Sequence, residues 1–205
     1  MNIKTNFFPY KKEKERIFYH HTDAVTKLSL KIGSLIPKEH QDSIVVLCIG
    51  TDRSTGDALG PIVGTKLMEQ NLTHVHIFGT LKSPVHAVNL GETIETINNQ
   101  FEHPFIIAVD ACLGLYQNIG SFQVAEGPLK PGAAVNKSLP AVGDMHITGI
   151  VNVSGFMEFF VLQNTRLHLV MSMADVISAS LINAFNSIRE SEQSNVSLFR
   201  RGFEF

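Results

Sequence analysis

Apolar residues occur along the chain in short continuous runs that alternate with segments of helical spacing. The runs at 44–49 and 105–109 are apolar throughout, which is typical of parallel strands buried on both faces. In the segments 59–70 and 88–100, apolar positions recur every three or four residues and predict helices. Strands that alternate with helices predict right-handed crossovers and a mainly parallel sheet.

The whole pattern predicts an element order of α-β-α-β-α-β-β-α-β-α. Strands are predicted at 43–49, 75–78, 105–109, 120–125 and 166–171, and helices at 23–36, 59–70, 88–100, 145–163 and 174–189. Only a short link joins the third and fourth strands, so the fourth is expected to lie antiparallel or at an edge. The segment 127–143 is a long loop rich in turn formers, and such loops are usually functional or mobile.

The length of 205 residues fits one large domain with enough core to be stable alone. We expect an N-terminal arm at 1–21, a single α/β domain at 22–190 and a C-terminal tail at 191–205. No internal repeat or low-complexity segment divides the chain further. The sequence leaves a homo-oligomer open.

Composition narrows the classes of partner. The formal net charge of -2 gives no electrostatic case for nucleic acid or an anionic membrane. No apolar run approaches the roughly 18 residues of a membrane span, and the N-terminus lacks the pattern of a signal peptide. Two cysteines without an evident pairing, Cys48 and Cys112, suit a reducing cytoplasm.

A glycine-flanked turn at 50–61 joins the first predicted strand to the next helix and carries Asp57. The turn has neither the Gly-x-Gly-x-x-Gly dinucleotide fingerprint nor the Gly-Lys-Ser/Thr of a phosphate loop. A carboxylate at a helix N-terminus also repels anions, so we expect no nucleotide site. Gly56, Gly60 and Gly64 fall four apart, which predicts a close approach of helix and sheet.

Asp110 follows the apolar run at 105–109, as Asp57 follows the run at 44–49. The carboxyl ends of parallel strands meet at the crevice where such sheets place their chemistry. Two carboxylates that meet there share a proton, so that one activates water while the other donates a hydrogen bond to a scissile carbonyl. The pattern predicts a hydrolase in which Asp57 and Asp110 are catalytic. Helix capping by Asp57 and a strand-ending turn at Asp110 are the simpler alternatives.

His146 is the third candidate, because it follows a glycine-containing loop and is predicted to open the helix at 145–163. It either orients the acid pair or completes a divalent metal site with Asp57 and Asp110; a hydrogen bond to backbone at a helix start is the simple alternative. The turn supplies the predicted site lining, and its backbone N–H groups are candidates for oxyanion stabilisation. The lining residues are Thr51, Asp52, Arg53, Ser54, Thr55 and Gly56.

The segment Gly-Asp-Ala-Leu-Gly-Pro at 56–61, together with Val-Asp-Ala at 109–111, resembles the germination (spore) protease family. The longer run at 50–61 resembles more closely the YyaC group of sporulation proteins. The resemblance implies an atypical aspartic peptidase with Asp57 and Asp110 as its dyad and no cofactor. It also implies a protein or peptide substrate, with small spore proteins as candidates, and a cytoplasmic location in the sporulating cell or spore interior.

A more distant resemblance is to the hydrogenase maturation endopeptidases, which use two acidic residues and a histidine to recognise nickel in the substrate. By position, these match Asp57, Asp110 and His146. The fold that the resemblances imply is a three-layer α/β/α sandwich of the phosphorylase/hydrolase-like type. Two alternatives to the aspartic peptidase stay open. One is metal-dependent processing with nickel or zinc, and the other is a non-catalytic protein that binds a peptide or small ligand in the crevice.

Overall fold

A six-stranded, mostly parallel sheet forms the centre of the fold in the computed structural model, which describes residues 16–38, 43–131 and 139–201, with side chains up to 190. The strands are β1 (Ile17–Phe18), β2 (Ile44–Cys48), β3 (Val75–Phe78), β4 (Phe105–Gly114), β5 (Ser121–Glu126) and β6 (Met145–Val153). Their spatial order is β1-β5-β6-β4-β2-β3. The pairs β2–β3, β2–β4 and β4–β6 are parallel, whereas β5 runs antiparallel to both its neighbours, β1 and β6. The predicted antiparallel placement of the fourth strand is confirmed.

Helices cover both faces of the sheet. They are α1 (Ala24–Gly33), α2 (Leu59–Met68), α3 (Leu90–Gln100), α4 (Glu158–Gln163) and α5 (Leu167–Arg201). The buried residues of α1, α2 and α5 share one apolar core with alternate residues of β2 and β4. The buried residues of α3 pack with the intervening residues of β2 and β4, on the opposite face of the sheet. The predicted three-layer α/β/α sandwich is confirmed.

The segment predicted as a helix at 145–163 is instead the strand β6 followed by the short helix α4. β6 lies between β4 and β5, and seven of its nine residues, 145 and 147–151 among them, are apolar, threonine or glycine. A buried strand in such a position is apolar on both faces, so periodicity cannot distinguish it from a buried helix. The helix prediction was wrong here, and the error moves His146 from a helix start to a strand.

The strand predicted at 166–171 was also wrong, because α5 already begins at Leu167. Its buried residues recur every three or four positions, at Val170, Met173, Ile177 and Leu181. The part 167–190 is long and apolar enough, by length and composition, to cross a membrane. Its apolar stripe, however, packs in the core shared with α1 and α2, as expected for a core helix.

Two secondary-structure elements include residues expected in the N-terminal arm or the C-terminal tail. Ile17 and Phe18, expected in the N-terminal arm, form β1 and pair with Phe122 and Ser121 of β5. At the other end, α5 continues to Arg201. The remainder of the predicted arm and tail, 1–15 and 202–205, lies outside the described residues.

The predicted glycine stripe does bring α2 close to the sheet. A Cβ added at Gly60 would meet the backbone of Ile49, and one added at Gly64 would meet the carbonyl of Gly79. Only a residue without a side chain permits these contacts. The prediction of a close approach is confirmed, and the result is that the turn before α2 lies directly against the end of β2.

Candidate functional site

Backbone hydrogen bonds close the turn that carries Asp57. The Gly50 N–H donates to the carbonyl of Val85 at 2.8 Å, and the Thr51 N–H donates to the carbonyl of Asp57 at 3.1 Å. Gly50 has φ +147°, and a Cβ there would meet that same Asp57 carbonyl. Asp57 lies in a 3-10 turn, Gly56–Ala58, that leads into α2, and no side-chain hydrogen bond caps either element. Helix capping therefore does not explain Asp57.

Asp110 lies within β4, not at its end as predicted. β4 continues to Gly114, and Asp110 pairs with Thr148 of β6. The neighbour on the other side, β2, ends at Cys48, whose partner in β4 is Val109. Asp110 is therefore the first residue of β4 beyond the end of β2, and this position puts it at the rim of the sheet beside the Asp57 turn.

Asp57 and Asp110 line the same cavity of about 350 Å³. The cavity opens at the carboxyl ends of β2 and β4, as parallel sheets usually arrange their binding sites. Other polar side chains that reach it include His86, Thr148 and Glu158. Its walls are largely apolar, with contributions from Ile49, Leu113, Leu129, Leu139, Phe159 and Leu162.

The electrostatics of the two acids differ. Burial raises the pKa of Asp110 well above its ordinary value of 3.8; the Ala111 N–H, which donates to Asp110 Oδ1 at 2.8 Å, lowers it, and the charge of Asp57 raises it. Burial also raises the pKa of Asp57, while the hydroxyl of Ser54 lowers it. The Ser54 Oγ is buried without a hydrogen bond of ordinary geometry, so we regard its contact with Asp57 as weak. Asp110 is consequently the acid that holds its proton to higher pH.

Residues 16–180 match the family described as "Protein of unknown function (DUF1256)". The chain belongs to the DUF1256 family. The protein YyaC of Bacillus subtilis (strain 168), described as uncharacterized, is 55% identical over 183 residues, which are 88% of this chain and 89% of the relative. The resemblance to the YyaC group that the glycine-aspartate run indicated is thereby confirmed.

A solved structure is also similar to the DUF1256 chain. It is the [NiFe] hydrogenase maturation protease HycI from Thermococcus kodakarensis, with 21% sequence identity and a TM-score of 0.47. The similarity covers 72% of this chain and 96% of the other. A likeness at this level does not establish an activity.

The predicted lining residues of the DUF1256 site separate into three groups. Thr51 lines the cavity, and its Oγ1 accepts a hydrogen bond from the Arg53 N–H at 3.2 Å. The side chains of Asp52 and Arg53 are exposed on the outside of the turn. The remaining three residues support the turn from within: Ser54 is buried, Thr55 is half-buried, and Gly56 lies against α4, where a Cβ would meet Leu162.

His146 is not brought to the cavity. It lies near the start of β6, paired with Ala108, which precedes Asp110 by two residues. Its Nδ1 donates a hydrogen bond to the carbonyl of Gly127 at 2.8 Å. The simple alternative, a hydrogen bond to backbone, is therefore what the structure shows, although at a strand start and not at a helix start.

The proposed metal set of Asp57, Asp110 and His146 is not assembled in this structure. Among residues 16–38, 43–131 and 139–190, no three His, Cys, Asp or Glu side chains lie where they could hold a metal ion together. The histidine that does line the cavity is His86. Its Nδ1 accepts a hydrogen bond from the Val88 N–H at 3.3 Å, which leaves Nε2 as the ring nitrogen that donates.

His86 and Glu158 are two of the cavity residues that sequence reasoning missed. His86 directly follows Val85, which forms a parallel bridge with Ile49 beside the Asp57 turn. The sequence signal for His86 was a polar residue directly after an apolar residue that pairs with the sheet. A pairing of this length is too short to show the alternation of a strand. Glu158 was hidden by the wrong helix prediction, because the start of α4 at Glu158 fell inside the predicted helix.

Cys112 also lines the cavity, two residues after Asp110. Burial raises the pKa of its thiol to about 11, although a hydrogen bond with Thr148 acts in the opposite direction. The thiol is therefore neutral near physiological pH and a poor nucleophile.

We expect iodoacetamide to alkylate Cys112 in the folded protein about a hundredfold more slowly at pH near 8 than it alkylates an ordinary thiol, because the thiolate fraction falls with the raised pKa. Mass spectrometry of timed samples measures the rate. Protein unfolded in guanidinium is the control and should react at the ordinary rate. Rapid alkylation of the folded protein at Cys112 would contradict the assignment of a neutral thiol.

Asp110 should also give the DUF1256 protein a recognisable pH dependence of stability. The pKa of Asp110 is higher in the folded protein than in the unfolded chain. Its contribution is therefore fully present below the unfolded value, near 3.8, and is lost as the pH rises through the folded value. Asp110→Asn removes this loss, so the free energy of unfolding of the wild type should fall relative to that of the variant as the pH rises from about 4 to neutrality.

Urea denaturation of both proteins across that pH range measures the difference. Asp52→Asn, at an exposed position in the turn that carries Asp57, is the matched control, and its curve should parallel that of the wild type. A constant difference between wild type and Asp110→Asn at every pH would mean that Asp110 titrates as it does in the unfolded chain.

Proposed function

We propose that this protein is a peptidase that cleaves a protein substrate with the acid pair Asp57 and Asp110. The observation that carries the proposal is that both carboxyls line one cavity and that the charge of Asp57 raises the pKa of Asp110. Coupled acids of raised pKa in a cleft are typical of catalytic sites. The motif resemblance to the germination protease family points to the same two residues.

The pKa directions suggest how the roles divide. Because burial raises the pKa of Asp110 further, Asp110 keeps the shared proton and Asp57 is the carboxylate. Asp57 takes a proton from a water molecule as the water oxygen attacks the scissile carbonyl carbon. Asp110 donates a hydrogen bond to the oxygen of that carbonyl. When the tetrahedral intermediate breaks down, the proton held by Asp57 passes to the leaving amide nitrogen.

Several neighbouring groups would position the substrate. The N–H groups of Thr51 and Arg53 already donate within the turn, so they are not oxyanion donors in this state. His86, whose Nδ1 accepts a hydrogen bond from backbone and whose Nε2 is left to donate, is a donor on the cavity wall. We assign it a positioning part in this proposal, in place of the predicted His146.

The motif resemblance to sporulation proteins supplies the setting of the proposal. A substrate protein of the sporulating cell, with small spore proteins as first candidates, follows from that resemblance. The cytoplasm or the spore interior is the proposed compartment, since the described cysteines, Cys48 and Cys112, are free thiols.

Incubation of the purified full chain with small spore proteins tests the proposal. We expect defined products from the wild type and none from Asp57→Asn, with product termini read by mass spectrometry. Parallel reactions with EDTA, nickel or zinc test the metal-dependent alternative. Equal cleavage by both proteins would remove the acid pair from the mechanism. No cleavage of any candidate by the wild type, together with tight binding, would favour the non-catalytic alternative.

A further inference from the structure

The strand β4 is longer than its neighbour β2, and the excess forms one wall of the cavity. β2 ends at Cys48, opposite Val109, whereas β4 continues through 110–114 with β6 as its partner. Ala111 and Leu113 both line the cavity on the side that β2 has left. The cavity therefore contains a short length of strand edge, about 10 Å long at the usual rise per residue.

The direction of the backbone groups on this edge follows from the last contact with β2. The carbonyl of Val109 accepts a hydrogen bond from the Ile49 N–H at 2.7 Å, so Val109 faces the β2 side. The register of β4 and β6 shifts between Cys112 and Leu113, but the extra residue, Val151, lies in β6. Backbone groups therefore continue to alternate along β4, and Ala111 and Leu113 face the same side. The Ala111 N–H is held by Asp110 Oδ1. Within the described chain, no neighbouring backbone pairs with Leu113 on that side.

The surface beyond the cavity indicates the chemistry of the occupant. We define the aromatic rim as Tyr116, Phe156, Phe159 and Phe160, which are 82%, 91%, 62% and 56% exposed. Such a group of large exposed apolar side chains usually marks an interaction surface. Phe159 belongs to the rim and also lines the cavity, so the two surfaces are continuous.

Hydrogen bonds that hold α4 against the sheet explain why the aromatic rim faces outward. The Asn152 side chain donates to the Val161 carbonyl at 3.3 Å and to Thr165 Oγ1 at 3.2 Å, which fixes one side of α4 against the end of β6. The other side of α4 then presents Phe159 and Phe160. The Ser154 N–H donates to the carbonyl of Gly114 at 2.8 Å, so the segments that carry Tyr116 and Phe156 leave the same end of the sheet.

We propose that the site takes an extended polypeptide segment, which pairs as an added strand with the 110–114 edge of β4. Its apolar side chains fill the cavity and cover the aromatic rim. In strand addition, main-chain hydrogen bonds supply affinity and pockets for alternate side chains supply specificity. The inference rests on the proposed function, since the added strand brings a peptide bond beside Asp57 and Asp110, but its test below needs no cleavage.

The test uses the full chain carrying Asp57→Asn, which prevents turnover, and a fluorescein-labelled peptide, Lys-Thr-Leu-Thr-Phe-Thr-Leu-Thr-Lys. Peptides with a single N-methyl group at each successive position are compared by fluorescence anisotropy. We expect binding to weaken about tenfold at every second position and to change little at the positions between, because a strand turns alternate N–H groups toward its partner. A pattern without this period of two would overturn strand addition.

The apolar part of the inference is tested with Phe156→Ser/Phe160→Ser, whose positions lie on the rim and outside the cavity lining. We expect its affinity for the same peptide to fall at least tenfold. Leu30→Ser, at a residue 70% exposed on α1, is the matched control and should bind like the parent. Equal affinity in the rim variant would sink the assignment of the rim.

Two further outcomes separate this inference from its rivals and from the proposed function. If sedimentation shows a dimer that Phe156→Ser/Phe160→Ser dissociates, while peptide affinity is unchanged, a second copy is the occupant and the inference is wrong. If the peptide binds with the alternating pattern but the wild type cleaves no protein, the proposed function fails and strand addition stands. If the wild type cleaves a protein substrate but peptide binding shows no alternating pattern, the proposed function stands and strand addition fails.

Discussion

Replacing Asp110 by asparagine is expected to lower the rate of substrate cleavage by a factor on the order of 10²–10⁴ without loss of the fold. The amide has nearly the same shape as the protonated carboxyl, but its N–H is a much weaker acid than the carboxyl O–H, so its hydrogen bond stabilises the negative charge that develops on the scissile carbonyl oxygen less well. The raised pKa of Asp110, caused first by burial, keeps the neutral acid available to a higher pH than an ordinary aspartate would allow. Measurement of kcat and KM on the first substrate identified gives the size of the loss.

Asp57→Asn should cause a loss of similar size, because it removes the base that activates water. The two residues act as one unit, so the double variant should be little worse than the more damaged single variant. Asp52→Asn, exposed and outside the cavity lining, is the matched control and should keep full activity. Additive losses in the double variant would show that the two acids act independently.

The second large effect concerns the fold that holds the acids together. Gly64→Val is expected to destabilise the protein by about 3 kcal/mol, near the upper end for overpacking. A Cβ at Gly64 would meet the backbone carbonyl of Gly79, which has no flexible side chain that could move away. α2 must then shift away from the sheet. Urea denaturation gives the change in the free energy of unfolding.

The control for this variant is Gly91→Ala in α3, where a Cβ would have no neighbour within 4 Å. Alanine is the better helix former, so this change should stabilise the protein by about 0.5–1 kcal/mol. If Gly64→Val and Gly91→Ala were equally mild, α2 would not be held by close backbone contact with the sheet.

The sequence predicted the first two thirds of the fold because its signals there are distinct. β2 and the first part of β4 are short apolar runs between turns, and α2 and α3 show helical spacing. The final third failed for two different physical reasons. β6 is buried on both faces and has no period, and the alternation at 166–171 mimics a strand although tertiary packing makes it the first turn of α5.

The candidate site was predictable to a similar extent. The glycine-flanked turn fixes Asp57 beside β2, and the run before Asp110 fixes that residue near the same rim. Whether the two elements are neighbours depends on strand order, which periodicity does not contain. His86 could not be predicted, because the isolated bridge between Val85 and Ile49 that places it at the cavity forms only in the folded chain. Glu158 could not be predicted, because the start of α4 is not marked in the sequence.

The cavity is assembled from parts that are far apart in the chain, and this has a consequence during synthesis. Asp57 and Asp110 both lie within the first 110 residues, whereas Phe159 and Leu162 complete the walls from α4. A nascent chain that ends after Asp57, or even after Asp110, still lacks the cavity walls that exclude water from the two carboxyls. In the proposed peptidase, activity would thus arise only after nearly the whole domain has emerged from the ribosome and folded. Incompletely synthesised chains would therefore not cleave other nascent chains.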